Sequence, residues 1–334
     1  MEQQRMDTIV LAYAGGPAAR AAVPWLRQTC GAAVVTVTLD IGQERDLAAV
    51  RDQALAAGAA RAHVVDRRDA FMFEFLLPAL KADADLGPSS WTVLAWPLLA
   101  QTLVDIAVME DAGAVAHACP DGPSSTQLEA AVRALGPDLM VIAAGEGTGE
   151  RAAVNTSSAE YRTAGNSMAP GEPALVDVAF ARGVPTALNG IDMPLPEMLA
   201  TLSTIAGAYG PSRAVSADDD GLAVASLSMA PAMAVLQAAH LSLRQLVTDE
   251  RLGRFCEVVG REYGAIALDG LWFTPMRRAL DGFADEIQSR ATGTVRLKLS
   301  AGGVEQVSAT SAFARAADTR RQTNSATRPQ PLST

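Results

Sequence analysis

The sequence predicts an α/β fold: a parallel sheet with helices on both faces, followed by an α+β half. Three observations predict it. Short apolar runs alternate with stretches of helical spacing through residues 8–144. Each run is too short for a helix and is bounded by Gly or polar residues, as buried parallel strands are. After residue 173 the alternation gives way to longer helices and paired strands, which is the signature of a second, mixed layer.

The elements follow in order. "TIVLAY" (8–13) reads as a strand ending on Gly15-Gly16, and 18–29 as a helix. "AVVTVTLD" (33–40) is a β-branched strand, and 45–58 has helical spacing closed by a glycine. "AHVVD" (62–66) is a third strand, followed by helices at 69–82 and 91–112. "AVAHA" (114–118), a helix at 125–135 and "LMVIAA" (139–144) complete this half. Residues 145–173, rich in Gly, Ser, Thr and Asn, read as a long loop or lid. Beyond it, 174–190 suggests two strands around a turn, 195–210 an amphipathic helix, and 218–228 a strand. Helices follow at 232–247, 249–268 and 276–290, then a hairpin over 293–309 turning at Gly302-Gly303. The polar tail from Thr310 reads as disordered or as an arm reaching another subunit. The expected division is residues 1–150, 151–309 and 310–334.

Composition narrows the function. With 334 residues, 49% of them hydrophobic, the chain can bury a large core. Its net charge of −10 argues against nucleic acid and anionic membranes as partners. No basic leader precedes the first strand, and no window reads as approaching the ~20 apolar residues of a membrane span. Cys30, Cys119 and Cys256 lie far apart in an odd number, so they read as reduced thiols of a cytoplasmic protein. Lysine occurs only at Lys81 and Lys298, neither in a Gly-rich loop. No metal site is expected, because His63, His117 and His240 have no ligand spacing.

In a sheet of this kind ligands sit beyond the carboxyl ends of the strands. The turn "VLAYAGGPAARAAVPWL" (10–26) therefore draws attention, since a strand, a Gly-Gly turn and a helix present backbone N–H groups to an anion. The loops after Leu39 and Ala118 stand at the same end. His117 is either a satisfied core residue or, with Asp121 to orient it, an acid–base pair. Cys119 would need thiolate stabilisation to act as a nucleophile. Ser124, Ser125 and Thr126 can cap the helix that follows.

The blocks "VLAYAGG", "VVTVTLDIGQERDLAAVRDQALAAGAA", "LAWPLLAQTLVDIA", "GVPTALNG" and "GLWFTPMRRALDGFADEIQSRATGTVRLKL" resemble argininosuccinate synthase, of the N-type ATP pyrophosphatase superfamily. The resemblance implies an adenine nucleotide alpha hydrolase-like domain followed by a synthetase-type domain and a C-terminal oligomerisation segment. It implies ligation of citrulline to aspartate with ATP and Mg²⁺, in a homotetramer; a dimer is the other expectation. The chain departs from the family pattern at the site itself. The family's Ser-Gly-Gly-x-Asp-Thr-Ser loop is here Ala14-Gly15-Gly16-Pro17-Ala18-Ala19-Arg20. The family's polar segment for the amino acids is replaced by "ACPDGPSSTQLEAAVR", and its Ser-Pro-Tyr-Ser and Tyr-Glu-Thr-Pro-Gly segments are missing.

The candidate site is accordingly His117, Asp121 and Asp40 as catalytic residues, within a ligand pocket of Ala12, Tyr13, Gly15, Gly16, Arg20, Gln43, Cys119, Ser124 and Ser125. Three functions are consistent with it. The chain is a repurposed homologue that takes another small molecule without ATP; or a pseudoenzyme acting by assembly with a true synthase; or an ATP-dependent C–N ligase with an unfamiliar amine and acceptor. No cofactor is expected under the first two readings, and ATP with Mg²⁺ only under the third.

Overall fold

The computed structural model describes residues 7–43, 45–86, 91–119, 122–144, 172–209, 230–300 and 303–314. The first half runs β1 (Thr8–Ala12), α1 (Pro17–Cys30), β2 (Ala33–Asp40), α2 (Leu47–Ala56) and β3 (Arg61–Asp66). A continuous helical run follows: α3 (Arg68–Ala70), a π-helical stretch Phe71–Leu76, and α4 (Leu77–Lys81). A 3₁₀ turn, Trp91–Leu94, leads into α5 (Ala95–Met109), then β4 (Ala114–His117), α6 (Pro123–Leu135) and β5 (Met140–Ala143). The five strands form one parallel sheet in the order β3-β2-β1-β4-β5, as the alternation predicts.

Strand β1 lies at the centre and shows why both faces are covered. Ile9 and Leu11 pack with Val23 and Leu26 of α1 and Val50 and Ala54 of α2. Val10 and Ala12 point the other way, into the cluster that holds Leu99 and Leu103 of α5 and Leu128 of α6. Each fully buried large aliphatic side chain contributes roughly 1.5–3 kcal/mol. The strand order reverses between β1 and β4, so the crevice beyond their carboxyl ends is the expected ligand position.

Sequence Trp91–Met109 corrects one expectation. Its 19 residues are long and apolar enough to cross a membrane by length and composition. Two-thirds of it is buried, because α5 packs on β1, β2 and β4 of the parallel sheet and on α6.

The second half contains β6 (Ala174–Ala181), β7 (Val184–Leu188), β8 (Ile191–Asp192), α7 (Leu195–Tyr209), α8 (Ala230–Val247), α9 (Glu250–Leu268), α10 (Pro275–Gln288), β9 (Gly293–Ser300) and β10 (Gly303–Thr310). Its strands form an antiparallel sheet, β10-β9-β6-β7-β8. Two tight turns join β6 to β7 and β7 to β8. Arg182-Gly183 has φ of 52° and 76°, and Asn189-Gly190 has 51° and 78°, which is the left-handed pair a two-residue hairpin requires. The inward residues Val176, Val178, Val295, Leu297 and Leu299 continue the large core. On the outer face Arg296 grips Asp177 with two hydrogen bonds of 2.6 Å, which holds that carboxyl below its ordinary range.

The strand expected over 218–228 and nearly all of the 145–173 loop lie outside the described residues, as does the tail from 315. Residues 311–314 do continue the fold: the Ser311 hydroxyl donates to the Thr292 carbonyl at 2.6 Å. An Arg-x-x-x-Asp spacing ordinarily marks a solvated helix face, but Arg277 and Asp281 turn inward. The Arg277 guanidinium lies 4.7 Å above the Trp272 ring, and Tyr263 donates to Asp281 at 2.7 Å. Trp272 also stacks on Phe75 at 5.2 Å and is core, while Leu271 beside it is exposed.

Candidate functional site

The Gly-Gly turn between β1 and α1 is tight because Gly15 has φ +79°, where a side chain would be strained. A Cβ there would also stand 3.3 Å from Val50, and 3.4 Å from both Arg45 Nη2 and Gln53 Oε1. Gly16 is the N-cap of α1 and Pro17 its first residue, with no acidic side chain in the first turn. Tyr13 is held by its backbone: its N–H donates to Val37 O at 2.9 Å and its carbonyl accepts from the Thr38 hydroxyl at 2.8 Å. A cleft lined by Tyr13, Ala14, Thr38, Ile41, Gln43 and Arg45 opens here, enclosing about 20 Å³. That is little more than one water needs.

The "LDIGQ" loop closes on itself. Asp40 accepts from the Gly42 N–H at 3.0 Å, and Gln43 accepts from the Ile41 N–H at 2.8 Å while donating to Leu39 O. Asp46, not a residue of that motif, caps α2 by accepting from Ala49. Asp40 lies beside Asp66 in the β2–β3 register, and Arg68 faces both carboxylates. Arg68 holds the Asp66 carboxyl down to about 2. Because the folded value lies below the unfolded one, the pair's stabilisation is present above about pH 4 and is lost as pH falls toward 2. Asp66→Asn is expected to flatten the acid limb of stability between pH 4 and 2, by a small amount because the pair is exposed; an acid titration followed by circular dichroism measures it.

At the end of β4, His117 is fully buried. Its Nδ1 accepts from the Cys119 N–H at 3.3 Å, so the proton sits on Nε2, which faces Glu129 Oε1 at 3.3 Å. Glu129 is held in turn by Arg133 at 2.6 Å, one helical turn on. This carboxylate partner, on the helix after the strand, is one the sequence reading missed; the Glu-x-x-x-Arg spacing in α6 marks only an ordinary helical ion pair. Asp121, the partner expected from sequence, lies outside the described residues. Ser125 serves the capping role: its hydroxyl exchanges bonds with the Gly122 N–H and carbonyl at 3.1 and 2.9 Å. Ser124, half-buried beside it, has no bond of this kind among the described residues. Among these residues no group of three or more His, Cys, Asp and Glu side chains is placed to hold a metal ion. None of the three cysteines is in a disulfide.

The fold thus gathers the predicted residues into two neighbouring clusters at the same end of the sheet. Tyr13, Gly15 and Gln43 share the first with Arg45, which sequence reading did not single out; Arg20 lies exposed on α1. Ala12, at the end of β1, is fully buried beneath them and contributes to the core. His117, Cys119, Ser124 and Ser125 form the second cluster.

Two family models cover this architecture: the arginosuccinate synthase N-terminal HUP domain matches residues 8–163, and the arginosuccinate synthase C-terminal domain matches 138–319. The chain belongs to the argininosuccinate synthase family. Argininosuccinate synthase from Brevibacillus brevis is 33% identical over 353 aligned positions, covering 92% of this chain and 84% of its own length. The Pelotomaculum thermopropionicum argininosuccinate synthase is also 33% identical, covering 89% and 86%. Set beside the phosphate loop that the resemblance implies, this chain keeps the two glycines. It lacks the hydroxyls and the carboxylate.

Proposed function

We propose that this member of the argininosuccinate synthase family has given up Mg·ATP-driven joining of citrulline and aspartate, and binds or transforms another small molecule at the same strand ends. The observation that carries the reading is the loop Ala14–Arg20, in which no side chain can ligate Mg²⁺ or donate a hydroxyl to a polyphosphate. Each such contact is worth roughly 1–3 kcal/mol, so losing several weakens a triphosphate by orders of magnitude. The cleft above Gly15, at about 20 Å³, also leaves no space for a nucleobase unless side chains move. The parts left for chemistry are His117 with Glu129, a buried imidazole and a carboxylate suited to proton transfer. Asp40 is committed to Gly42 and Arg68 and is read as holding its loop.

A thermal shift with Mg·ATP tests the proposal. An ATP-dependent ligase at a hundredfold excess over Kd gains about 2.7 kcal/mol. The expected result here is no shift, together with no pyrophosphate release from ATP, citrulline and aspartate. A second reading, ordinary argininosuccinate synthase activity, is favoured by the relatives of that name at 33% identity over most of the chain. Pyrophosphate release dependent on both amino acids would establish it and remove the first.

A further inference from the structure

His240 on α8 is fully buried, and oxygen acceptors face both of its ring nitrogens. Nδ1 stands 2.8 Å from Asp83 Oδ1, just past α4, and Nε2 stands 2.9 Å from Gln288 Oε1, on the last residue of α10. The glutamine is not free to offer its N–H instead. Its Nε2 already donates to the Lys81 carbonyl at 2.7 Å, and its side chain fills the space beside Gly183, where a Cβ would lie 2.5 Å from Oε1. Each neutral form of the ring therefore fails on one side. A proton on Nδ1 alone leaves the Nε2 lone pair against the amide oxygen; a proton on Nε2 alone leaves the Nδ1 lone pair against a carboxylate. The ring has no exposed surface through which solvent could relieve either contact. The imidazolium, with an N–H on each side, satisfies both acceptors.

The charges around the ring are few. Arg244, one turn along α8, is ion-paired with the same Asp83 carboxylate. From α9 comes Cys256, whose thiol burial pushes up, so it brings no charge. From α4 comes Lys81, whose ammonium is paired with Asp285 of α10. Phe180 of β6 meets the ring at 5.9 Å. Strands β9 and β10, also packed on α8, turn Val295, Leu297 and Ala309 inward, while Arg296 pairs with Asp177 and Lys298 with Glu305. Glu197 of α7 is exposed.

We propose that His240 is a buried imidazolium acting as a pH-sensitive clasp that ties the segment Lys81–Asp83 and α10 to α8. As pH rises, the proton on Nε2 leaves for solvent, because the carboxylate at Nδ1 is a stronger acceptor than the amide at Nε2. Gln288 can then keep the Lys81 carbonyl or turn to donate to Nε2, but not both. The folded state is the one that holds the extra proton, so the clasp is closed at low pH and opens as pH rises.

Nitrogen-15 NMR of the full chain labelled at histidine tests the proposal. His63→Gln and His117→Gln identify the other two rings, since the chain has 3 histidines. At about pH 7.5 an ordinary histidine, titrating at about 6.5, is mostly neutral. The wild-type His240 ring is expected to show a bonded proton on both nitrogens there. Gln288→Met, which removes the second acceptor, is expected to show one, on Nδ1. Raising the pH further is expected to remove the wild-type Nε2 proton. In step with that loss, hydrogen-exchange protection over Ala284–Gln288 is expected to fall about tenfold or more, as loss of one hydrogen bond from a charged group does, while protection over α1 is unchanged. A single N–H on the wild-type ring at about pH 7.5 would overturn the proposal. So would two N–H groups in Gln288→Met, or α10 protection that does not respond when the Nε2 proton is lost.

Discussion

Gly264→Ala is expected to destabilise the protein by about 3 kcal/mol or more, enough to leave much of it insoluble. Helix α9 lies with Gly260 and Gly264, one turn apart, directly on the segment Ala82–Asp85, and the Asp85 N–H donates to the Gly260 carbonyl at 2.9 Å. A Cβ at 264 would stand 2.0 Å from the Asp85 carbonyl oxygen, and one at 260 would stand 2.4 Å from that of Asp83. Both obstacles are backbone, so no rotamer change relieves them. Gly207→Ala in α7 is the matched control: nothing lies within 4 Å of its Cβ, and the change should stabilise by up to about 1 kcal/mol through helix propensity alone. Urea denaturation of the two variants, followed by circular dichroism, measures the difference. A wild-type midpoint for Gly264→Ala would mean that α9 does not approach this closely.

Asp83→Asn is expected to cost about 3–5 kcal/mol, since it strips the counter-charge from a buried cluster. The Asp83 carboxylate accepts from His240 Nδ1 at 2.8 Å and faces Arg244 Nε as an ion pair without hydrogen-bond alignment. His240 is fully buried, and Arg244 nearly so. Across the ring, His240 Nε2 faces Gln288 Oε1 at 2.9 Å; the amide orientation is set because Gln288 Nε2 donates to the Lys81 carbonyl at 2.7 Å. Asn keeps the shape and tolerates the φ of +50° at this position, so the loss isolates the charge. The pairing predicts that Asp83→Asn with Arg244→Met is less destabilising than the sum of the single changes. Additive losses would show that the two side chains are not coupled. Because Asp83 and Gly260 meet at the same backbone, changes at these two sites should also couple.

The parallel sheet was legible because each of its strands is local: a short apolar run closed by Gly or a charged residue, with β1 alternating between two cores. The antiparallel sheet was only half legible. The hairpin 293–309 and the strand pair within 174–190 each have local turn chemistry, but the pairing of β6 with β9 joins segments over a hundred residues apart, and no local pattern encodes that. The Asn189-Gly190 turn was visible as a dipeptide, yet β8 beyond it is only two residues long. At the site, the Gly-Gly turn and His117 could be found from strand ends. Arg45 and Glu129 could not, since each acts across space from a helix entrance or a helix face that looks ordinary in sequence. The inward turn of Arg277 and Asp281 was hidden for the same reason: an Arg-x-x-x-Asp pair reads as solvated until Trp272 is seen beneath it.

The π-helical stretch Phe71–Leu76 has a bearing on chain length. Wider winding there accommodates a surplus position, so rewinding the same six residues as an ordinary α-helix would rotate everything after it by about 100°. Asp83, two residues past the end of α4, would swing away from the histidine and arginine it serves, and the shelf on which Gly260 and Gly264 rest would turn with it. The winding between Ala70 and Leu77 is therefore a constraint in its own right: an insertion here that spares every named contact residue is expected to undo the contacts, whereas a one-residue deletion that converts the stretch to an α-helix is expected to keep them.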